Sequence, residues 1–443
     1  MGGEMEQRHA IFSLHDQREK GGIMLTGQIL LQLIVILLAV QLFGYLCKFI
    51  GQPPVIGEVL AGLALGPTLL GALLPRVEAS VFPASVLPTL QTLGDIGLVL
   101  YMFSLGTHID TNAMLRQSRK AGVISLSGIL LPLLMGGFFA FFLYPGFAGS
   151  TANLPSFILL VGTVMAITAF PVLARLLSER HMLTIGIGTL ALTCAAIDDV
   201  IGWCLLALVI ATIHATGFLS VALTLGFLAL FVVVMLAVAR PLLLLADQHV
   251  KSRPLLMALT MILLLLSAYL TNAMGIHPVF GAFMMGLILP RRMNFLQQVQ
   301  NIDAVNNLLF LPLYFVYNGL RTHIGLIDSP MLWLICLLAF LVACLSKILG
   351  GAIPLKAFGE PWKESFALGT LMNTRGLVEL IVLNIGLDLG VLSPTLFAML
   401  VIMTIITTMM APPLLPLLGY SQKAIREKLA KEASEEHAPE QPV

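Results

Sequence analysis

Charge is what this chain of 443 residues has least of: Asp, Glu, Lys and Arg together make up 11% of it. A soluble globular domain carries about 25%, so the shortage excludes a chain whose whole surface faces water. The few charges nearly balance, at a formal net charge of +1, which argues against a nucleic-acid or strongly acidic partner. Cysteine is also scarce. Cys47, Cys194, Cys204, Cys336 and Cys344 all fall inside apolar runs, and none has metal-ligand spacing. They read as small apolar helix residues rather than a disulfide framework or a zinc site. A phosphate-binding loop ending in Lys-Ser or Lys-Thr is missing too, which speaks against a nucleotide-driven pump and leaves no cofactor to expect.

What the chain does have is hydrophobic length. Apolar residues account for 58% of it, arranged in runs that suit membrane helices. Pro, Gly and charge clusters punctuate about thirteen segments: 24–48, 55–74, 89–109, 121–144, 156–178, 184–212, 217–241, 254–274, 277–290, 304–323, 331–354, 364–388 and 393–418. With thirteen crossings, most of the 24 Lys and Arg collect on one side, among them Lys48, Arg119, Lys120, Arg175, Arg291, Lys356 and Lys423. That asymmetry predicts an N-terminus outside and a C-terminus in the cytoplasm. The expectation is an all-α, multi-pass protein of a cell (inner) membrane. An extracytoplasmic arm covers residues 1–23, a transmembrane domain 24–418 and a cytoplasmic tail 419–443.

A charge at mid-membrane costs roughly 2.5–3.5 kcal/mol even on lenient scales. Seven residues accept that cost: Glu58, Asp95, Asp198, Asp199, Lys347, Arg375 and Glu379. The strongest signal is Asp198-Asp199 in the middle of the sixth segment. Neighbours on a helix point about 100° apart, so one carboxylate can face a water-filled path while the other faces a neighbouring helix. Repulsion between two close carboxylates favours a proton on one of them, as a proton carrier needs. A carboxylate is also a hard oxygen ligand for Na⁺ or K⁺. Lys347 is read either as the salt-bridge partner of Asp198 or as a lysine snorkelling to the membrane surface.

Two segments look broken. The fifth contains Thr168-Ala169-Phe170-Pro171 and the twelfth Asn373-Thr374-Arg375-Gly376. Unwound backbone at that depth is tolerated only inside protein or beside water. One segment runs inward and the other outward, the mark of inverted repeats with two crossed broken helices and a binding site at the crossing. Arg375 and Glu379, four residues apart, can pair on one helix face and compensate the half-helix ends. Glu58 and Asp95 are weaker candidates for the ion path, Glu58 being placed near a helix start. His277 reads as a helix-start residue.

These stretches together resemble the monovalent cation:proton antiporter-2 family, in particular its cation/proton exchanger group. The resemblance covers about residues 28–415. It rests on Gln52-Pro53-Pro54-Val55-Ile56-Gly57-Glu58, Leu93-Gly94-Asp95-Ile96-Gly97-Leu98, Ile167-Thr168-Ala169-Phe170-Pro171-Val172-Leu173-Ala174-Arg175 and Leu371-Met372-Asn373-Thr374-Arg375-Gly376-Leu377-Val378-Glu379-Leu380. It implies the NhaA-type fold, with a core of about 89–212 and 331–418 and a separate dimerisation domain, hence a homodimer. It also implies roles: Asp199 as the carboxylate that binds the monovalent cation or the proton, Asp198 as the partner of Lys347, and Thr168 as the polar position at the first break. Two acids in tandem imply electrogenic exchange. The expected partners are monovalent cations, protons and the lipid bilayer, and the expected activity is not enzymatic. A K⁺ efflux channel is the alternative, disfavoured because no selectivity-filter repeat is present. An intramembrane aspartyl protease would need acids opposed across two helices, not adjacent on one.

Overall fold

The computed structural model describes residues 2–108, 118–183, 185–214, 218–249, 252–274, 277–290 and 302–421, with positions 299 and 425. Among the described residues there is no β-strand, only one isolated bridge between Ala148 and Leu392. Among the described residues, eight helices are long and apolar enough to cross a membrane. Each of the thirteen expected segments carries helical backbone, some of it in shorter or interrupted pieces. The basic positions Arg116, Lys251, Arg291, Arg292, Lys423, Arg426, Lys428 and Lys431 lie outside the described residues.

In chain order the helices are α1 (Gly2–Phe49), α2 (Pro54–Leu65), the short α3 (Leu70–Leu73) and α4 (Pro75–Val81), α5 (Leu87–His108) and α6 (Ser118–Phe147). Then come α7 (Leu154–Ala166), α8 (Phe170–Glu179), α9 (Gly186–His214) and α10 (Phe218–Val234), which continues through a π-turn into α11 (Arg240–His249). The rest are α12 (Arg253–Ala273), α13 (Pro278–Ile288), α14 (Leu311–Leu320), α15 (Pro330–Ala357), α16 (Trp362–Met372), α17 (Leu377–Asp388) and α18 (Pro394–Leu417).

Local chemistry sets many of these boundaries. Pro occupies the first turn of α2, α7, α12, α13, α15 and α18, where its missing N–H costs nothing. Asn153 caps α7 by accepting from the Ser156 amide at 2.8 Å, and the Ser329 and Ser393 side chains cap α15 and α18 in the same way. Such side chains satisfy amide donors that the helix leaves orphaned. Outward-facing positions such as Leu38, Phe138 and Leu265 are exposed, while Thr168, Asp198, Lys347, Arg375 and Glu379 are fully buried. Apolar outside and polar within suits a lipid solvent.

The helices gather into two bundles. One joins α6, α7, α9, α15, α16 and α18, with α8 and α17 seated on them; the other joins α1, α2, α5, α12, α13 and α14. α5, which the expected core range from residue 89 includes, packs against α13 and α14. The reason is close backbone approach: Gly94 and Gly97 lie against Tyr314 and Phe310, and Gly106 lies against the backbone of Phe283. The core bundle starts at α6.

Both expected breaks are present. The backbone of Ile167 and Ala169 is extended between α7 and α8, and residues 373–376 separate α16 from α17. Pro171 lies in the first turn of α8, so it starts the second half-helix rather than kinking a continuous one. Proline alone does not cause a break, since Pro132 lies within an uninterrupted α6. What distinguishes the broken segments is a mutual contact: the Ala169 amide donates to the Thr374 carbonyl at 3.0 Å. Each break satisfies a backbone group of the other.

Gly376 makes the second break possible. Its φ is +153°, and a Cβ on it would stand 2.8 Å from Val172 Cγ2. Gly376→Ala is therefore expected to lower stability by about 1–3 kcal/mol, read as a fall in the thermal unfolding midpoint of the purified protein. An unchanged midpoint would contradict the strain.

Candidate functional site

The two adjacent acids of α9 meet opposite fates. Asp198 is saturated: Ser125 of α6 donates to its Oδ1, Thr168 donates to its Oδ2 at 2.7 Å and Lys347 Nζ at 2.9 Å. Asp199 is just as buried, yet among the described residues no donor closes a hydrogen bond to either of its oxygens. The Phe170 amide at the head of α8 is turned toward it without completing a bond. An ionised carboxylate kept from water without partners is costly. Asp199 thus calls for a positive charge that the protein does not supply.

The cations that are present are committed elsewhere. Lys347 has three protons and three acceptors: Asp198, the Ala166 carbonyl at 2.5 Å and the Gly128 carbonyl at 2.8 Å. Arg375 donates to the carbonyls of Val164 and Met165, each at 2.7 Å, and to Glu379 Oε1 at 3.1 Å. Val164, Met165 and Ala166 are the last three residues of α7, whose carbonyls no helical turn can satisfy. The negative end of α7 is therefore neutralised by a lysine and an arginine. Glu379 lies in the first turn of α17, where the positive helix end favours an acid. The remaining positive end, that of α8, faces Asp199.

The other expected residues lie as follows. The single hydroxyl proton of Thr168 is shared between Asp198 and the Met372 carbonyl at 2.9 Å, so its side chain addresses Asp198 rather than Asp199. Asn373 donates to Cys344 Sγ at 3.4 Å, and its Oδ1 and the Thr374 hydroxyl are buried without partners. Phe170 is buried. Ser125 and Thr408 escaped the sequence reading. Thr408 both donates to the Arg375 carbonyl at 2.9 Å and accepts from the Arg375 amide. A hydroxyl on an apolar helix carries no sequence signal that separates it from a self-satisfied one.

Beside the crossing is a cavity of about 240 Å³ lined by Glu58, Tyr101, Val172, Arg175, Asn307 and apolar neighbours. It shares Glu58, Arg175 and Asn307 with a second cavity, of about 350 Å³, that reaches Lys48. Tyr101 of this lining lies within electrostatic reach of Arg175, Glu58, Asp303 and Asp199, and Val172 of the lining packs against Gly376 at the crossing. Glu58 was expected near a helix start. It lies beyond the first turn of α2, buried, with Oε2 unpartnered, so the helix end does not explain it. Asp95 is half-buried and belongs to a different cluster, near Asp388 and Tyr314. His277 is the residue before α13, as expected, and its ring stacks on Trp203.

A family model described as "sodium/hydrogen exchanger, transmembrane" matches residues 34–418. The chain belongs to the sodium/hydrogen exchanger family. Among relatives in that family, the Na(+)/H(+) antiporter NhaS4 of Synechocystis is 41% identical over 395 residues, covering 87% of this chain and 96% of the relative. Cation/H(+) antiporter 17 of Arabidopsis thaliana is 39% identical over 87% of this chain. K(+)/H(+) antiporter 1 of Saccharomyces cerevisiae is 30% identical over 92%. This chain spans only 48% of the length of each of those two relatives. The solved structure of the sodium proton antiporter MjNhaP1 from Methanocaldococcus jannaschii superposes with a TM-score of 0.65 at 17% identity, covering 91% of this chain and 98% of that one. That likeness establishes the antiporter fold.

Proposed function

We propose that this chain exchanges a monovalent cation, Na⁺ or K⁺, for protons, and that both compete for Asp199. The observation that carries the proposal is the contrast between neighbours: Asp198 is held by three donors and Asp199 by none. A bare carboxylate is too costly to move through a closed protein interior. It crosses either protonated or with a cation, and that alternative couples the two fluxes without nucleotide or cofactor. Asp199 is the site for the cation. Asp198 and Lys347 hold the α9 backbone against α6 and α7, so that Asp199 faces the vestibule. Arg375 and Glu379 fix the half-helix ends, and residues 373–376 with Thr168 keep polar groups at the crossing.

The vestibule through Glu58 and Arg175 is the route from the cytoplasmic side, consistent with Lys48 at its mouth. The core bundle (α6–α9 and α15–α18) moves against the other bundle, exposing Asp199 to each face in turn. The second bundle is the scaffold and forms the contact of a homodimer in a cell (inner) membrane, with the N-terminus outside. Opening of the Asp198–Lys347 pair releases a second proton, which makes the exchange electrogenic. The roles are those of a carrier and not of an enzyme.

In proteoliposomes holding a pH-sensitive dye, addition of Na⁺ or K⁺ is expected to drive protons out across the membrane through the wild-type protein. Absence of proton movement with either cation would remove exchange and favour the channel reading.

A further inference from the structure

The two bundles are tied by a polar cluster on the side of the crossing opposite the vestibule. Arg321, at the end of α14 in the scaffold bundle, pairs with Asp388, the last residue of α17 in the core bundle, at 2.5 Å. The same guanidinium donates to Asn384 Oδ1 at 3.1 Å and lies over the Tyr317 ring at 5.6 Å. Asn384 in turn donates to Asn318 of α14. The core side of the cluster is therefore Asn384 and Asp388, one helical turn apart, and the scaffold side is Asn318 and Arg321.

We infer that Arg321 and Asp388, with Asn318 and Asn384, form a latch that closes the face opposite the vestibule and must open in every transport cycle. The inference rests on the alternating movement set out above. In the two crossed segments, α8 and α17 lead away from the crossing on opposite sides, and Arg175 of α8 lines the vestibule while Asp388 ends α17. Movement that opens the second face must pull α17 away from α14, and these four side chains span that seam.

The cluster is built to part. The Asp388 side chain is 43% exposed, so water can replace the arginine when the pair separates. A second acid, Asp95 of α5, stands close enough to Asp388 for the two carboxylates to repel. Asp95 belongs to the scaffold, so this repulsion weakens the closed position of the latch.

The test joins the two sides. Arg321→Cys with Asp388→Cys is reconstituted and treated with a bifunctional thiol reagent that a reductant cleaves, each single-cysteine variant serving as control for the native thiols. The expected result is loss of cation-driven proton movement to the level of protein-free vesicles, restored by the reductant. Undiminished exchange in the cross-linked protein would overturn the latch and leave the exchange function standing. Exchange absent from the wild type would instead count against the function itself.

Arg321→Gln reads the same device without a reagent. Loosening the latch favours the state open on its own face, so the cation KM measured from that face falls while the KM from the vestibule face rises. A merely structural role would move both alike, and equal changes on the two faces would contradict the latch.

Discussion

Asp199→Asn is expected to cut cation-driven proton movement by at least ~100-fold, the consequence of losing about 3 kcal/mol at a site where one charged ligand dominates. The substitution keeps the shape of the side chain and removes both functions proposed for it. Asparagine neither carries a proton across nor neutralises a cation. The fold should survive, because no group among the described residues hydrogen-bonds either Asp199 oxygen and an uncharged amide relieves the burial of a bare carboxylate. Folded, monodisperse protein without exchange is the expected outcome in proteoliposomes. Asp198→Asn differs in kind. It disturbs bonds to Ser125, Thr168 and Lys347, so its loss of transport comes with a loss of stability.

Lys347→Ala carries the second large effect, and on folding rather than on transport alone. Both members of the Lys347–Asp198 pair are fully buried. Removing one partner of such a pair costs roughly 3–5 kcal/mol, since the other charge stays buried and unpaired. Here the substitution also strips the Ala166 and Gly128 carbonyls of their donor and exposes the end of α7. Thermal unfolding in detergent should show a marked fall in midpoint. Pairing Lys347→Ala with Asp198→Ala should recover part of it, by about 0.5–3 kcal/mol relative to the sum of the single losses. Strict additivity would mean that the two residues do not act as a pair.

Much of this arrangement was legible in the sequence, for identifiable reasons. Charges in lipid are so costly that Asp198, Asp199, Lys347, Arg375 and Glu379 announce themselves against an apolar background, and all five meet at the crossing. The breaks at 167–169 and 373–376 were visible because polar and glycine residues interrupt long apolar runs. Their mutual hydrogen bond, from Ala169 to Thr374, was not, since backbone pairing leaves no trace in side-chain identity. The partners of Arg375 were half-legible. Glu379 follows from helical spacing, but the Val164 and Met165 carbonyls come from a helix over two hundred residues away in sequence. The packing of α5 against α13 and α14 is not legible because α5 is as apolar as the core helices. What assigns it to the scaffold is a set of glycines that admit close backbone contact, and glycine does not say which neighbour it admits. Thr168 lies at the break, whereas its choice of Asp198 over Asp199 depends on helix rotation that periodicity does not fix.

The central claim, one carboxylate taking either a proton or a cation, has a direct test that needs no membrane. Purified protein in weakly buffered detergent solution is titrated with Na⁺ or K⁺ while released protons are followed. The account predicts proton release on cation binding, an apparent cation affinity that weakens by about tenfold per pH unit on the acid side for one shared proton, and neither signal in Asp199→Asn. Cation binding that releases no proton, or release that persists in Asp199→Asn, would contradict it.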